Sequence, residues 1–235
     1  MQDWEEKMKL MNIEKNKSEN NRQYTYRILK ENIMNLNLKP GEGISEIELA
    51  NILDVSRTPI REAISTLKAE NLVKVLPQKG TFIAKIDFNF VEEAFFMRNV
   101  IEREVLKLAC ENFSMEALIE LEKNLHFQEF QAKFEESQEE LFNLDNEFHR
   151  IIYENVNKKR VWKVIQQMNS HYNRIRLLDV IEKVNLEKTL AQHRKIIDII
   201  KNKDFDGIDE VVSTHLSNFK DKIPYFREIH PDFFI

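Results

Sequence analysis

The sequence predicts a mainly α-helical protein in two parts: a short front unit of three helices closed by a β-hairpin, and an all-helical bundle behind it. Two observations carry this. Helix breakers crowd one end: Gly41, Gly43, Gly80, Pro40, Pro59 and Pro77 all precede residue 81, whereas 81–223 holds only Gly207 and no proline. Proline and glycine interrupt helices and make turns, so the front consists of short elements and the back of long helices. Charge divides the same way. Residues 21–86 carry ten Lys/Arg against seven Asp/Glu, and residues 87–235 carry 21 against 28, within a net charge of −5. Any polyanionic partner is therefore expected at the front.

Residues 1–20 are rich in Asn, Lys and Glu and read as a mobile or loosely helical extension, with Trp4 and Leu10 able to dock. The front unit spans 21–86. Tyr26, Leu29, Ile33 and Leu36 stripe a first helix over 21–36, stopped by Leu38-Lys39-Pro40-Gly41. A second helix begins at Ser45, which with Glu48 makes a capping-box pattern. A third starts at Ser56 or Thr58, with Pro59 in its first turn where no amide donor is lost. Leu72–Leu76 and Thr81–Ile83, joined by Pro-Gln-Lys-Gly, read as a two-stranded hairpin. The back unit, 87–235, divides into six helices near 90–112, 114–137, 139–156, 158–179, 186–201 and 204–223. An aromatic tail from Pro224 is expected to pack on a helix or on a second subunit.

Composition narrows the class. The chain has 235 residues, enough for two cores, and 42% hydrophobic with 32% charged residues is an ordinary globular balance. Its apolar runs are too short to span a membrane. The opening MQDWEEKMKL places acids before any apolar stretch, unlike a secretory signal. The single Cys110 allows no internal disulfide, which suits a cytoplasmic location.

Three helices and a hairpin make a winged helix-turn-helix. The specific signal is Ile44-Ser45-Glu46-Ile47-Glu48-Leu49-Ala50, then Val55-Ser56-Arg57-Thr58-Pro59-Ile60-Arg61-Glu62-Ala63-Ile64, then Leu67, Glu70, Leu72-Val73 and Pro77-Gln78-Lys79-Gly80-Thr81-Phe82. Over about 22–84 this resembles the DNA-binding domain of the GntR family of bacterial regulators. Asp54 and Asn71 stand where that family often has glycine, and both residue types tolerate a left-handed backbone. The resemblance implies a bacterial transcription regulator, most simply a repressor, that binds double-stranded operator DNA as a homodimer. Ser56, Arg57, Thr58 and Arg61 would enter the major groove at the recognition-helix N-terminus. Arginine forks match guanine edges, threonine meets a phosphate or thymine methyl, and helix amides hold phosphate. Lys79 and Gly80 would bring the wing tip to the backbone, with Arg22 or Arg27 as further contacts. The bland alternative pairs Arg57 and Arg61 with Glu62 or Asp54 as surface ions.

The back unit has its own pattern. Asp145-Asn146-Glu147-Phe148-His149 sets a carboxylate and an imidazole four residues apart on one helix face, and His193 and His215 follow on two other helices. One oxygen and three nitrogen donors can surround a divalent ion. With Met97-Arg98-Asn99-Val100-Ile101-Glu102, Phe148-His149-Arg150 and Asn157, this is similar to the FCD-type ligand-binding domain of the FadR subfamily within the GntR family. The resemblance implies that Asp145, His149, His193 and His215 hold a metal, zinc first, with manganese, nickel or iron as alternatives. It places Arg98 near the effector. His171 and Arg174 are further candidates for lining that pocket, whereas His126 and His230 read as ordinary core or surface residues. An effector carboxylate suits both the metal and an arginine fork, so a small organic acid or sugar acid is expected. Two other functions compete: a metal-free acyl or lipid sensor, and a metallo-hydrolase fused to a DNA-binding domain. The latter lacks any H-E-x-x-H-type motif, so the chain is read as a non-enzyme.

Overall fold

The computed structural model describes residues 10, 14–134 and 138–235, which form two compact units, the first made of the chain up to Asp87 together with His230–Ile235, the second of Phe88–Ile229. Among the described residues no helix is long and apolar enough to cross a membrane.

The first unit holds α1 (Asn21–Met34), β1 (Gly43–Ile44), α2 (Glu46–Ile52), α3 (Arg57–Ala69), β2 (Val73–Leu76) and β3 (Gly80–Ile83). Asn20 begins α1 with a reciprocal capping box: its side chain accepts from the Gln23 amide and Gln23 Oε1 accepts from the Asn20 amide. Ser45 Oγ accepts from the Glu48 amide at 3.4 Å to start α2. Leu29, Ile33, Leu49, Ile60 and Leu67 bury their side chains in one core between the three helices. Tyr26 and Lys30 on α1 both bond Glu70 at the end of α3, tying those helices together at the rim. Leu10 packs against this core; Trp4 lies outside the described residues.

The two departures from glycine behave as their chemistry allows. Asp54 and Asn71 take φ of 49° and 59°, and the next amides reach back to close each helix, Val55 N to Ala50 O and Leu72 N to Leu67 O. These are Schellman closures with Asp and Asn at the left-handed position. The wing differs from the expected hairpin. It is a three-stranded antiparallel sheet in the order β1-β3-β2, with Gly43 opposite Phe82 and Val73 opposite Ile83. The chain's tail adds to the same unit: the Ile86 amide donates to Phe233 O at 2.7 Å and the Ile235 amide to Ile86 O.

The second unit contains α4 (Phe88–Glu111), α5 (Met115–Gln131), α6 (Gln138–Asn155), α7 (Lys159–Met168), α8 (Ser170–Ile181), α9 (Leu186–Asn202), α10 (Ile208–Leu216) and α11 (Ile223–Ile229). Leu121, Phe148, Ile165 and Val211 lie in a continuous core. Two expected helices are divided. The span 158–179 breaks at Asn169, which ends α7 and begins α8, and 204–223 shortens to α10 before a 3₁₀ turn at Lys220–Lys222. Asn169 is fully buried, and neither atom of its side-chain amide has a hydrogen-bond partner.

Candidate functional site

Ile60, Ala63, Ile64 and Leu67 bury one side of α3, which forces Arg57, Thr58 and Arg61 outward at its N-terminal turns. Ser56 is exposed at the N-cap, and its side chain makes no cap bond, so its hydroxyl does not occupy the first-turn amides. Neither arginine takes the surface partner weighed from the sequence. Both turn to Glu46 at the start of α2: Arg61 Nε donates to Oε2 at 2.8 Å and Arg57 Nη2 donates to the same oxygen at 3.3 Å. The two guanidiniums, Arg61 foremost, hold the Glu46 carboxyl below its ordinary range. Lys79 is exposed at the wing tip, beside Gly80, whose φ of 120° is a conformation side-chain-bearing residues rarely adopt. Arg22 pairs loosely with Glu62 at 3.9 Å. Arg27 donates Nε to one Glu19 oxygen and Nη2 to the other, and draws that carboxyl down to about 2.

In the second unit α6, α9 and α10 bring His149, His193 and His215 together, with one nitrogen of each within 4.8 Å of the others. All three rings are buried, and burial lowers each imidazole's pKa, that of His193 to about 3, so all are neutral at pH 7. Their outer nitrogens are individually held. His193 Nδ1 meets Gln128 Oε1 at 2.8 Å, His215 Nδ1 meets Gln192 Oε1 at 3.2 Å, and His149 Nδ1 lies 3.7 Å from Glu102 Oε2. The orientation of the Gln128 amide follows from its other contacts. Gln128 Nε2 is directed at Asn124 Oδ1 and Leu144 O, and Gln192 and Asn218 exchange reciprocal bonds. The Leu144 carbonyl fixes Gln128 with its Nε2 turned away from the ring, so His193 Nδ1 carries the proton and His193 Nε2 presents a bare lone pair.

The three rings converge. His149 Nε2 and His215 Nε2 are 3.1 Å apart, and the buried His193 Nε2 has no hydrogen-bond partner. Two nitrogens bound to one ion at about 2.1 Å sit about 3.0–3.4 Å apart, so this spacing suits ligation of a shared ion as well as a hydrogen bond between the two rings. The donor set thus fits a divalent metal, with outer groups of the kind that orient metal-binding histidines. Asp145 stands beside the triad rather than in it. Its Oδ1 is 3.4 Å from His193 Nε2 without hydrogen-bond geometry, and its Oδ2 pairs with Arg176 Nη2.

A cavity of about 50 Å³ adjoins the triad, lined by Arg98, Asp145, Tyr172, Arg176, Thr189 and His215 among others. Arg98 is buried, its Nε donates to Glu102 Oε1 at 2.6 Å, and its Nη2 has no partner. His171 and Arg174 do not line this cavity. They contact each other at 3.1 Å, and His171 packs on Phe90. Residues two apart on a helix point about 200° around its axis, so α8 gives the cavity Arg176 in place of Arg174. Sequence reasoning missed Gln128, Gln192 and Arg176, none of which has a local signature; of the groups around the triad, Glu102 stood within the quoted run Met97–Glu102.

The FCD domain profile matches residues 93–218, and that of bacterial regulatory proteins of the gntR family matches 21–83. The chain belongs to the GntR family. A regulator from an unstable DNA locus of Streptomyces ambofaciens is 33% identical over 91% of this chain and 89% of its own length. The transcriptional repressor RspR of Escherichia coli is 28% identical over 90% and 92%. Among solved structures, Escherichia coli McbR shares the fold with a TM-score of 0.68 at 22% identity, covering 89% of this chain and 99% of that one. A GntR regulator from Rhodococcus gives 0.70 at 19%, covering 87% and 97%. This GntR-family chain is accordingly a DNA-binding transcription regulator with an FCD domain, and its relatives are regulators rather than enzymes.

Proposed function

We propose that the chain is a ligand-responsive regulator, a repressor acting as a cytoplasmic homodimer on an inverted-repeat operator. Its FCD domain binds a divalent metal, zinc foremost, and beside it a small carboxylate effector. The observation that carries this is the convergence of three buried, neutral imidazoles with one nitrogen of each within 4.8 Å of the others, the His193 Nε2 lone pair having no partner. Arg98 and Arg176 give the adjoining cavity its affinity for a carboxylate. An acyl or lipid effector is disfavoured by the small volume and charged lining. Phe96 and Val100 stand exposed one turn apart on α4, apolar surface that suits pairing of copies. The reading is tested by elemental analysis of the purified protein, followed by footprinting on operator DNA with and without metal and a panel of short organic acids. Metal at about one per chain and acid-dependent change in operator affinity are expected. A metal-free protein with unchanged response refutes the sensing half, and a monomer on an asymmetric site refutes the dimer.

In this reading Ser56, Arg57, Thr58 and Arg61 enter the major groove, and Lys79 and Gly80 meet the phosphate backbone. Glu46 then sits between the two reading arginines and the DNA's own negative charge. Glu46→Gln keeps the side chain's size and removes its charge. Non-cognate affinity is expected to rise by up to about fivefold, the scale of one exposed ion pair, with less gain on the operator. Unchanged non-cognate binding at low salt would show that Glu46 does not restrain the arginines.

A further inference from the structure

Arg176 is a half-buried arginine that no sequence motif singled out, and it holds the one carboxylate nearest the histidine triad. Its Nη1 is fixed from two sides, by Asn173 Oδ1 at 2.8 Å and Asn146 Oδ1 at 3.1 Å, and its Cζ lies 5.0 Å over the Phe142 ring. Its Nη2 is spent on Asp145 Oδ2. The two halves of this guanidinium thus have different attachments. One is anchored to amide side chains that do not ligate ions readily. The other is bound to a carboxylate beside the triad.

The charges around the cavity make that difference matter. Arg98 and Arg176 contribute two positive charges; Asp145, Asp179 and Arg98's partner Glu102 contribute three negative ones. Burial raises the Asp179 carboxyl to about 6, which leaves it ionised at neutral pH. The formal sum is −1, which repels an anion. A divalent ion on the triad changes it to +1, which attracts a monoanion. An ion there also attracts Asp145, whose Oδ1 already lies 3.4 Å from His193 Nε2.

We infer that Arg176 is the carboxylate-recognition residue of this cavity and that the metal unmasks it: Asp145 turns from Arg176 to the ion, leaving Nη2 free to meet an effector monocarboxylate while Asn146 and Asn173 keep the guanidinium in place. The inference rests on the metal reading above and adds an order of binding, metal first and acid second. It also assigns Arg176 two opposed roles, a competitor for Asp145 before loading and a donor to the effector after it.

The test uses the full chain, metal-stripped and then loaded with zinc, with acetate as probe and acetamide as its neutral counterpart, followed by calorimetry. Wild type is expected to bind acetate when loaded, to bind it at least about tenfold more weakly when stripped, and to ignore acetamide in both states. Arg176→Met is expected to bind zinc about tenfold more tightly than wild type, because nothing competes for Asp145, and to lose acetate binding by about ten- to hundredfold, the worth of one charge-assisted hydrogen bond. Arg176→Lys keeps the charge but cannot span Asn146, Asn173 and Asp145 together. It is expected to fall between the two and serves where the methionine variant fails to fold. Equal zinc affinity in wild type and both variants overturns the competition. Acetate binding that survives in both variants, or that is as tight in stripped wild type, overturns the recognition role. These outcomes leave zinc on the triad intact, whereas wild type that takes up no zinc removes the metal reading and this inference together.

Discussion

His193→Ala is expected to lower the protein's metal affinity by more than about hundredfold, since removing even an outer partner of a metal-bound histidine costs about 10–100-fold. His193 is the decisive position because its Nδ1 is held by Gln128 while its Nε2 is buried and unpartnered, so the atom that would ligate has no hydrogen bond to give up. The substitution also removes a ring stacked on Phe148 at 4.2 Å, and so costs packing whether or not metal binds. Two measurements separate these effects. Thermal unfolding with and without zinc reads the metal's own stabilisation, which is expected in wild type and absent in His193→Ala. Gln128→Leu leaves the imidazole in place and deletes only the acceptor of its Nδ1–H. It is expected to fall between, with an affinity loss of about 10–100-fold. If folded His193→Ala retains one zinc per chain at wild-type affinity, the triad is a packed polar core and not a metal site.

How much of this was legible in the sequence depends on distance along the chain. The front unit's turns were readable because their causes are local: Asp54 and Asn71 supply left-handed corners, and Ser45 satisfies the Glu48 amide within one helical turn. The strand β1 was not, since two residues have no periodicity to detect. Nor was the break at Asn169, where neither proline nor glycine marks the end of α7. With α8 starting afresh after that break, no helical phase in the sequence distinguished Arg174, the candidate for the effector pocket, from Arg176, which lines the cavity. Asp145, His149, His193 and His215 were visible as residue types able to bind an ion, but their arrangement was not. Asp145 is claimed by an arginine 31 positions later, and the groups that fix the imidazole rings come from α4, α5 and α9, up to 65 positions from the histidine they orient. Such contacts follow from how helices pack and leave no spacing in the sequence.

Arg57→Ala and Arg61→Ala are each expected to weaken operator binding by about 1–3 kcal/mol, roughly 5- to 150-fold, with little loss on non-cognate DNA. The argument begins from the buried face of α3, which leaves no orientation for these side chains except outward from the helix N-terminus. Both are exposed, and their shared partner, a single oxygen of Glu46, cannot satisfy two five-donor guanidiniums. The unspent donors suit bidentate contact with guanine O6 and N7. Exchange of Glu46 for a base edge is inexpensive, because exposed ion pairs contribute at most about 1 kcal/mol. Lys79→Ala makes the contrast. A wing-tip lysine on phosphate carries no sequence information, so its loss is expected to weaken cognate and non-cognate binding alike and to reduce the salt slope by about one. The measurement is operator and scrambled-duplex affinity for all three variants across a salt series. Arginine variants that lose affinity equally on both duplexes would reassign Arg57 and Arg61 to the phosphate backbone, and variants that bind the operator like wild type would place the DNA on a different face of the winged helix.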